Sequence, residues 1–388
     1  MKKLLFTGLL VLAVSVLAIL LWFFAALHNL PDVSALKRYR PAAAAEVLDK
    51  DGGVLTHYYD RKFRVWTPIA ALPKIVIQAV VTAEDDTFFG HHGVNYQATW
   101  DALVVDVQRK KFARGGSTIT QQMIKNVLLS KEKTITRKVR EYLLARKAEE
   151  ILSKRRILEI YLNEIEWGDE VNGIEAACRF YLDKHASEVT AAEAALLAGM
   201  IANPHYYNPY KRAEKVSRRQ QQVLFKMHQA RLLTDEEYTA ARTEPIKLRR
   251  EGSGRFDFTA LTGGNGRACY QRALEQTLLS LYDEQALYRG GLTIRTTLDK
   301  ALQDELRHWE ESLLNKTEDV PGKVLVVKQD GVVRAIVCSE GKEEEVRAKL
   351  ETRGFPMSIY DTATVSPDSI GREQIILPES PRGKQRER

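Results

Sequence analysis

Residues Leu4 to Ala26 carry no charged side chain, and only Thr7 and Ser15 among them are polar. As a helix rising 1.5 Å per residue, such a run reaches about 35 Å, enough to cross a hydrocarbon core of about 30 Å. A cleaved signal peptide would have an apolar stretch of roughly 7–15 residues and a small-x-small cleavage site, and neither fits here. Residues 1–28 therefore read as a retained transmembrane signal anchor. Lys2 and Lys3 hold the short N-terminus on the cytoplasmic side, which sends residues 29–388 across the membrane. No later stretch is apolar enough to span again.

Beyond the anchor, the chain has the make-up of a folded globular protein. The 388 residues are 44% hydrophobic and 28% charged, which excludes collagen-like and wholly disordered readings. The formal charge of +7 suits an anionic partner such as a phosphate or a lipid headgroup, and nothing in the chain reads a nucleic-acid base. Cys178, Cys269 and Cys338 are odd in number, far apart and outside any CxxC pattern, so they read as small hydrophobes rather than a disulfide or zinc framework.

Pro31 to Arg40 reads as a linker, and Ala45 to Tyr59 as a hairpin turned by Asp51-Gly52-Gly53. From Pro73 to Arg249 the pattern is helical, with capping boxes at Thr118–Gln121, Thr190–Glu193 and Thr234–Glu237. Gly-rich Glu251 to Gly266 marks a boundary. Beyond it come a helix near Tyr270 to Leu281, a strand-like Leu292 to Leu298, another helix, and a hairpin of Val324–Val327 and Val332–Val337 around Asp330-Gly331. The fold class is mainly α: a helical domain over 29–250, a small α+β module over 251–377, and a basic disordered tail over 378–388.

Four patches in the helical domain can carry chemistry. Glu84-Asp85-Asp86 ends the apolar helix Ile75 to Ala83, and Val81, Val80 and Ile77 stand three, four and seven residues before Glu84. Its carboxylate thus leaves an apolar face, where desolvation and two acidic neighbours favour a general base. His91 and His92 lack the spacing to a third metal ligand. Arg114-Gly-Gly-Ser117-Thr118-Ile-Thr-Gln121-Gln122 opens a donor-rich helix that continues to Lys125 and Asn126, a cradle for phosphate or sugar. Arg137 and Lys138 precede Glu141 by four and three residues, so two cations favour its ionised form, the opposite of the setting of Glu84. Arg156 to Ala177 reads as helix, glycine-bearing loop and helix, with an architectural role.

In order and spacing these patches resemble the peptidoglycan glycosyltransferases of family 51, which occur as monofunctional polymerases and as the N-terminal halves of class A penicillin-binding proteins. The matching stretches are Glu84-Asp-x-x-Phe88-x-x-His91-x-Gly93, Gly115-Gly-Ser-Thr-Ile-Thr-Gln-Gln122, Arg137-Lys-x-x-Glu141, Ile157-Leu-Glu-x-Tyr-Leu-Asn163 and Ala194-Ala-Leu-Leu-Ala198 running to Asn203-Pro204.

The resemblance implies a lysozyme-like helical catalytic domain on the outer face of the bacterial cytoplasmic membrane. Its substrate would be lipid II, polymerised into β-1,4 glycan with release of undecaprenyl pyrophosphate. Glu84 would be the base and Glu141 would assist pyrophosphate departure, directly or through a divalent cation such as Mg or Mn, with no organic cofactor. Arg114, Arg137 and Lys138 would stabilise charge on the leaving group. Ser117, Thr118, Gln121, Gln122, Lys125 and Asn126 would line the donor site. The anchor would hold the enzyme beside its lipid-linked substrate, and apolar residues of the domain would dip into the interface.

Two stretches depart from the family pattern. Asp169-Glu170 stands where many relatives have glycine or small residues, and Leu182-Asp183-Lys184 replaces Phe-Gly-Lys. Gly290 to Asp299 and the Val324 to Val337 hairpin resemble the segment that precedes a transpeptidase. Ser-x-Asn and Lys-Ser/Thr-Gly motifs are missing, however, so crosslinking is expected to fall to a separate transpeptidase. The rival readings are a membrane-anchored glycan hydrolase and a non-catalytic cell-wall scaffold.

Overall fold

A computed structural model describes residues 2–28, 30–60, 62–100, 116–129, 132, 134–249, 269–313, 323–329, 332–338, 348 and 357–361. Arg114 and Gly115, the boundary at 251–266, the Asp330-Gly331 turn and the tail from 378 lie outside the described residues. The helices are α1 (Lys2–Leu27), α2 (Lys74–Glu84), α3 (Ile119–Leu128), α4 (Ile135–Ile151), α5 (Lys154–Glu164), α6 (Ile174–Leu182), α7 (Ala191–Met200), α8 (Ala213–Gln229), α9 (Asp235–Thr243), α10 (Cys269–Leu281), α11 (Glu284–Arg289) and α12 (Lys300–Leu313). The strands are β1 (Ala45–Leu48), β2 (Val54–Tyr58), β3 (Thr293–Arg295), β4 (Lys323–Gln329), β5 (Val332–Cys338) and β6 (Met357–Asp361). The class is mainly α, with an apolar N-terminal helix.

The chain divides into two units, one of Met1–Arg40, Thr67–Ile174 and Ala186–Ile246, the other of Pro41–Trp66, Glu175–His185 and Lys247–Arg388. In the first unit α1 is the one described helix long and apolar enough to cross a membrane, and its Phe6–Phe24 stretch is not buried in the protein. The expected linker after it contains a 3-10 turn, Val33–Arg38. The turn forms because the Asp32 carboxylate caps the Ser34 N–H. Leu36 is buried beneath it, and Arg156 donates to the Leu36 and Tyr39 carbonyls, so this segment is pinned to α5.

All three capping boxes form. In each, the threonine hydroxyl accepts the N–H three residues on, and the side chain there accepts the threonine N–H. Each cap is worth about 1 kcal/mol. The apolar helix α7 is buried almost throughout and packs against α2 and α8. Trp167, fully buried, donates its indole N–H to the Leu197 carbonyl at 3.0 Å and ties the loop after α5 to α7, which is the architectural role its segment suggested.

The departures from the family pattern fall on left-handed backbone. In this loop Asp169 and Glu170 have φ of 49° and 62°, and Asp183, after α6 in the other unit, has 56°. A side chain there costs about 1–2 kcal/mol, which glycine avoids. Asp169 offsets part of this by accepting a hydrogen bond from Asn208.

In the second unit β1 lies between β2, antiparallel to it with a register shift at Val47/Leu48, and β3, parallel to it. The predicted hairpin is therefore one edge of a sheet completed by a strand far along the chain. The β4–β5 hairpin is joined by β6, which the sequence did not reveal. Val47, Leu55, Leu278, Leu287, Ile294 and Ile336 form one core.

Beside this core, buried Arg179 of α6 donates to Glu175 at 2.7 Å and to Glu46 at 2.5 Å, and its Nη1 lies 2.9 Å from His57 Nε2. Burial pushes the Glu46 carboxyl up, but the His57 hydrogen bond and the charges of Arg179 and His57 outweigh it and hold it at about 2, against 4.5. The folded value lies below the unfolded one. The Glu46 contribution is therefore complete above pH 4.5 and is lost as pH falls toward 2. It amounts to about 3 kcal/mol. Denaturant unfolding followed from neutral pH into the acid range should show this loss, and Glu46→Gln should flatten it.

Candidate active site

Glu84 is the last residue of α2 and half-buried, as its apolar helix face dictates. Its Oε2 accepts a hydrogen bond from Gln122 Nε2 at 2.8 Å. Burial raises its pKa above the ordinary carboxylate value, against the Gln122 bond and the charges of Arg219 and Lys125, and with a smaller push from Asp85.

The other two acids of the run serve different ends. Asp85 is buried, accepts the Ile119 N–H at 3.0 Å at the start of α3, and lies 3.0 Å from His91 Nε2. It joins α2 to α3 and gives His91 a structural partner. Asp86 is exposed and faces Lys226 at 3.7 Å.

Thr118 and Gln121 are buried, and their polar groups close the cap of α3. The Thr118 hydroxyl also donates to the Gly93 carbonyl at 2.7 Å. These two shape the loop instead of presenting their groups outward. Gln122, Lys125 and Ser117 are half-buried, and Asn126 is exposed. Ser117 Oγ accepts from Lys138 Nζ at 2.7 Å.

Glu141 on α4 is only 2% exposed. Arg137 Nη1 donates to its Oε2 at 2.8 Å, and Lys138 pairs with its Oε1. These i, i+4 and i, i+3 partners cover the carboxylate, while Lys138 itself remains at the surface. Burial lowers the pKa of Lys125, and the charges acting on it include both Glu141 and Glu84. Lys125 thus senses both carboxylates. The structure thus brings Glu84, Gln122, Lys125, Ser117, Arg137, Lys138 and Glu141 into one electrostatic neighbourhood.

Two contributors were not among the site residues expected from the sequence. Tyr161 of α5, fully buried, donates its hydroxyl to Gln122 Oε1 at 3.1 Å. Arg219 of α8 lies over Gly199 and acts on Glu84 through its charge. Tyr161 is a matched position of the Ile157–Asn163 motif, the signal by which the sequence could have singled it out.

A resident divalent cation does not suit these side chains. Both oxygens of Glu141 already carry a cation, and among the described residues no group of three or more His, Cys, Asp or Glu side chains gathers to hold a metal.

Residues 51–228 match the family model described as Transglycosylase. The chain is 34% identical over 331 residues to penicillin-binding protein 1A of Aquifex aeolicus (strain VF5), covering 85% of this chain and 44% of that protein. It is 32% identical over 402 residues to penicillin-binding protein 1A of Neisseria lactamica, covering 95% and 49% respectively. Penicillin-binding protein 1A of Rickettsia prowazekii (strain Madrid E) is 32% identical over 304 residues, 77% of this chain and 37% of that protein. The chain spans about half or less of the length of these curated relatives. Residues 51–228, the stretch that matches the Transglycosylase family model, contain every side chain described for this site.

Proposed function

We propose that this chain polymerises lipid II into β-1,4 glycan strands and releases undecaprenyl pyrophosphate. It does so at the outer face of a bacterial cytoplasmic membrane, in which α1 is a single-pass anchor. One observation carries the reading: two carboxylates in opposite settings, Glu84 desolvated and Glu141 capped by two cations, share Lys125 between them. Exposed Phe89, Tyr96, Trp100 and Ile135 support contact with lipid beside the anchor.

In the reaction the acceptor 4-hydroxyl attacks the anomeric carbon of the growing chain. The new C–O bond forms as the bond to the pyrophosphate oxygen breaks, and the hydroxyl proton passes to Glu84. A base with a raised pKa is better matched to a hydroxyl proton than an ordinary carboxylate. The departing pyrophosphate gains negative charge, and Arg137, Lys138 and Lys125 offer positive charge already in place, with Glu141 holding the first two in register. Ser117 fixes Lys138 from its other side. Crosslinking falls to a transpeptidase outside these 388 residues, further along a longer polypeptide or in a separate protein.

Given lipid II in detergent or bilayers, the chain is expected to build long glycan. Glu141→Gln is expected to slow it by about 10²-fold, because the two cations lose the charge that orders them. Shortening of preformed glycan without new polymer would mark a hydrolase, and inertness across lipid compositions a scaffold.

A further inference from the structure

A glutamine side chain is nearly symmetric in shape, so its two ends must be told apart by their partners. Gln122 stands beside a carboxylate, where only one orientation is favourable. With Nε2 toward Glu84 it donates, whereas flipped it would set carbonyl lone pairs against carboxylate lone pairs. The partner at its other end is Tyr161, whose hydroxyl donates to Oε1 at 3.1 Å while Nε2 donates to Glu84 Oε2 at 2.8 Å. The chain Tyr161–Gln122–Glu84 runs through α5, α3 and α2, so it fixes the carboxylate relative to three helices at once.

We propose that Tyr161 is a positioning residue that locks the Gln122 amide with its N–H toward Glu84, fixing Oε2 and leaving Oε1 as the oxygen that accepts the acceptor's proton. This rests on Glu84 acting as the base. Among the described residues no protein donor meets Oε1, so that oxygen is open to a substrate hydroxyl. Burial, with the nearby charges of Glu84 and Asp85, keeps Tyr161 protonated well beyond its ordinary range, so it remains a donor at every working pH. The groups that face Glu84 are Asp85 on its own segment, Gln122 and Lys125 from α3, Tyr161 from α5 and Arg219 from α8. Tyr161→Phe leaves all of these charges in place. Any shift in the titration of Glu84 then reports the amide.

The test is lipid II polymerisation by the full chain across pH, for the parent, Tyr161→Phe, Gln122→Ala, their double variant and Glu84→Gln. Tyr161→Phe is expected to lower kcat about ten-fold with KM nearly unchanged. It should also move the acid limb of kcat/KM upward by about one pH unit, since the ionised carboxylate loses an oriented donor. In the Gln122→Ala background the same substitution should add less than about a two-fold effect, because it acts through the amide. Independent, multiplying effects would overturn the proposal, as would a parental pH profile for Tyr161→Phe. Thermal unfolding of each variant separates loss of fold from loss of positioning, and the double variant's failure to worsen the single one is a result that damage to packing would not give. An active Glu84→Gln would sink both the base assignment and the relay, whereas an inactive Glu84→Gln beside an unchanged Tyr161→Phe would sink the relay alone.

Discussion

Glu84→Gln is expected to lower kcat for lipid II polymerisation by about 10³-fold while KM changes little, within the 10²–10⁴-fold range of a positioned general base. The substitution keeps the size and planarity of the group. What it removes is the ability to take a proton from the attacking hydroxyl, which is needed only as the new bond forms. The parent adds a second readout. Because burial raises the Glu84 pKa, the acid limb of kcat/KM should lie above the ordinary carboxylate range, with activity lost as pH falls and the base becomes protonated. A Glu84→Gln variant with parental turnover, or an acid limb at the value of an exposed glutamate, would reassign the base.

Gly93→Ala is expected to cost roughly 3 kcal/mol of stability or more. Gly93 has φ of 87°, a conformation that side chains rarely adopt. A Cβ there would stand 2.6 Å from the Ala145 carbonyl oxygen and 3.1 Å from the Arg146 nitrogen. Both are backbone atoms of α4, so no side-chain rotation relieves the clash. The Gly93 carbonyl also accepts the Thr118 hydroxyl, so a shift here is felt at the start of α3. Since α4 carries Glu141 one turn before Ala145, activity should fall along with stability. Denaturant unfolding and the polymerisation assay together check this, and a parental transition midpoint would contradict the backbone geometry.

What the sequence disclosed was chiefly local. A threonine with a glutamine or glutamate three residues on forms its capping box from atoms within one turn, so Thr118, Thr190 and Thr234 were readable. Glu84 lay on an apolar face by simple counting, and Arg137 and Lys138 reach Glu141 within a single helix. Partners remote in sequence stayed hidden. Asp85 looked like a neighbour that merely adds charge, yet it secures the first N–H of α3. Gln121 read as one donor of a cradle for phosphate or sugar, but the cap of its own helix draws it inward. The linker at Pro31 to Arg40 took up a turn because Asp32 caps it and Arg156, over a hundred residues on, binds its carbonyls. No local pattern announces such partners.

The parallel pairing of β1 with β3 imposes an order on manufacture. Strand β1 leaves the ribosome about 250 residues ahead of its partner, which at 5–20 residues per second is a delay of roughly 10 to 50 s. Throughout that interval one side of β1 exposes unmatched amides and carbonyls, an invitation to adhesion between nascent chains. The helical segments carrying the glutamates are complete before then, so a chain interrupted ahead of Thr293 would retain those segments while its early hairpin stayed open on one side.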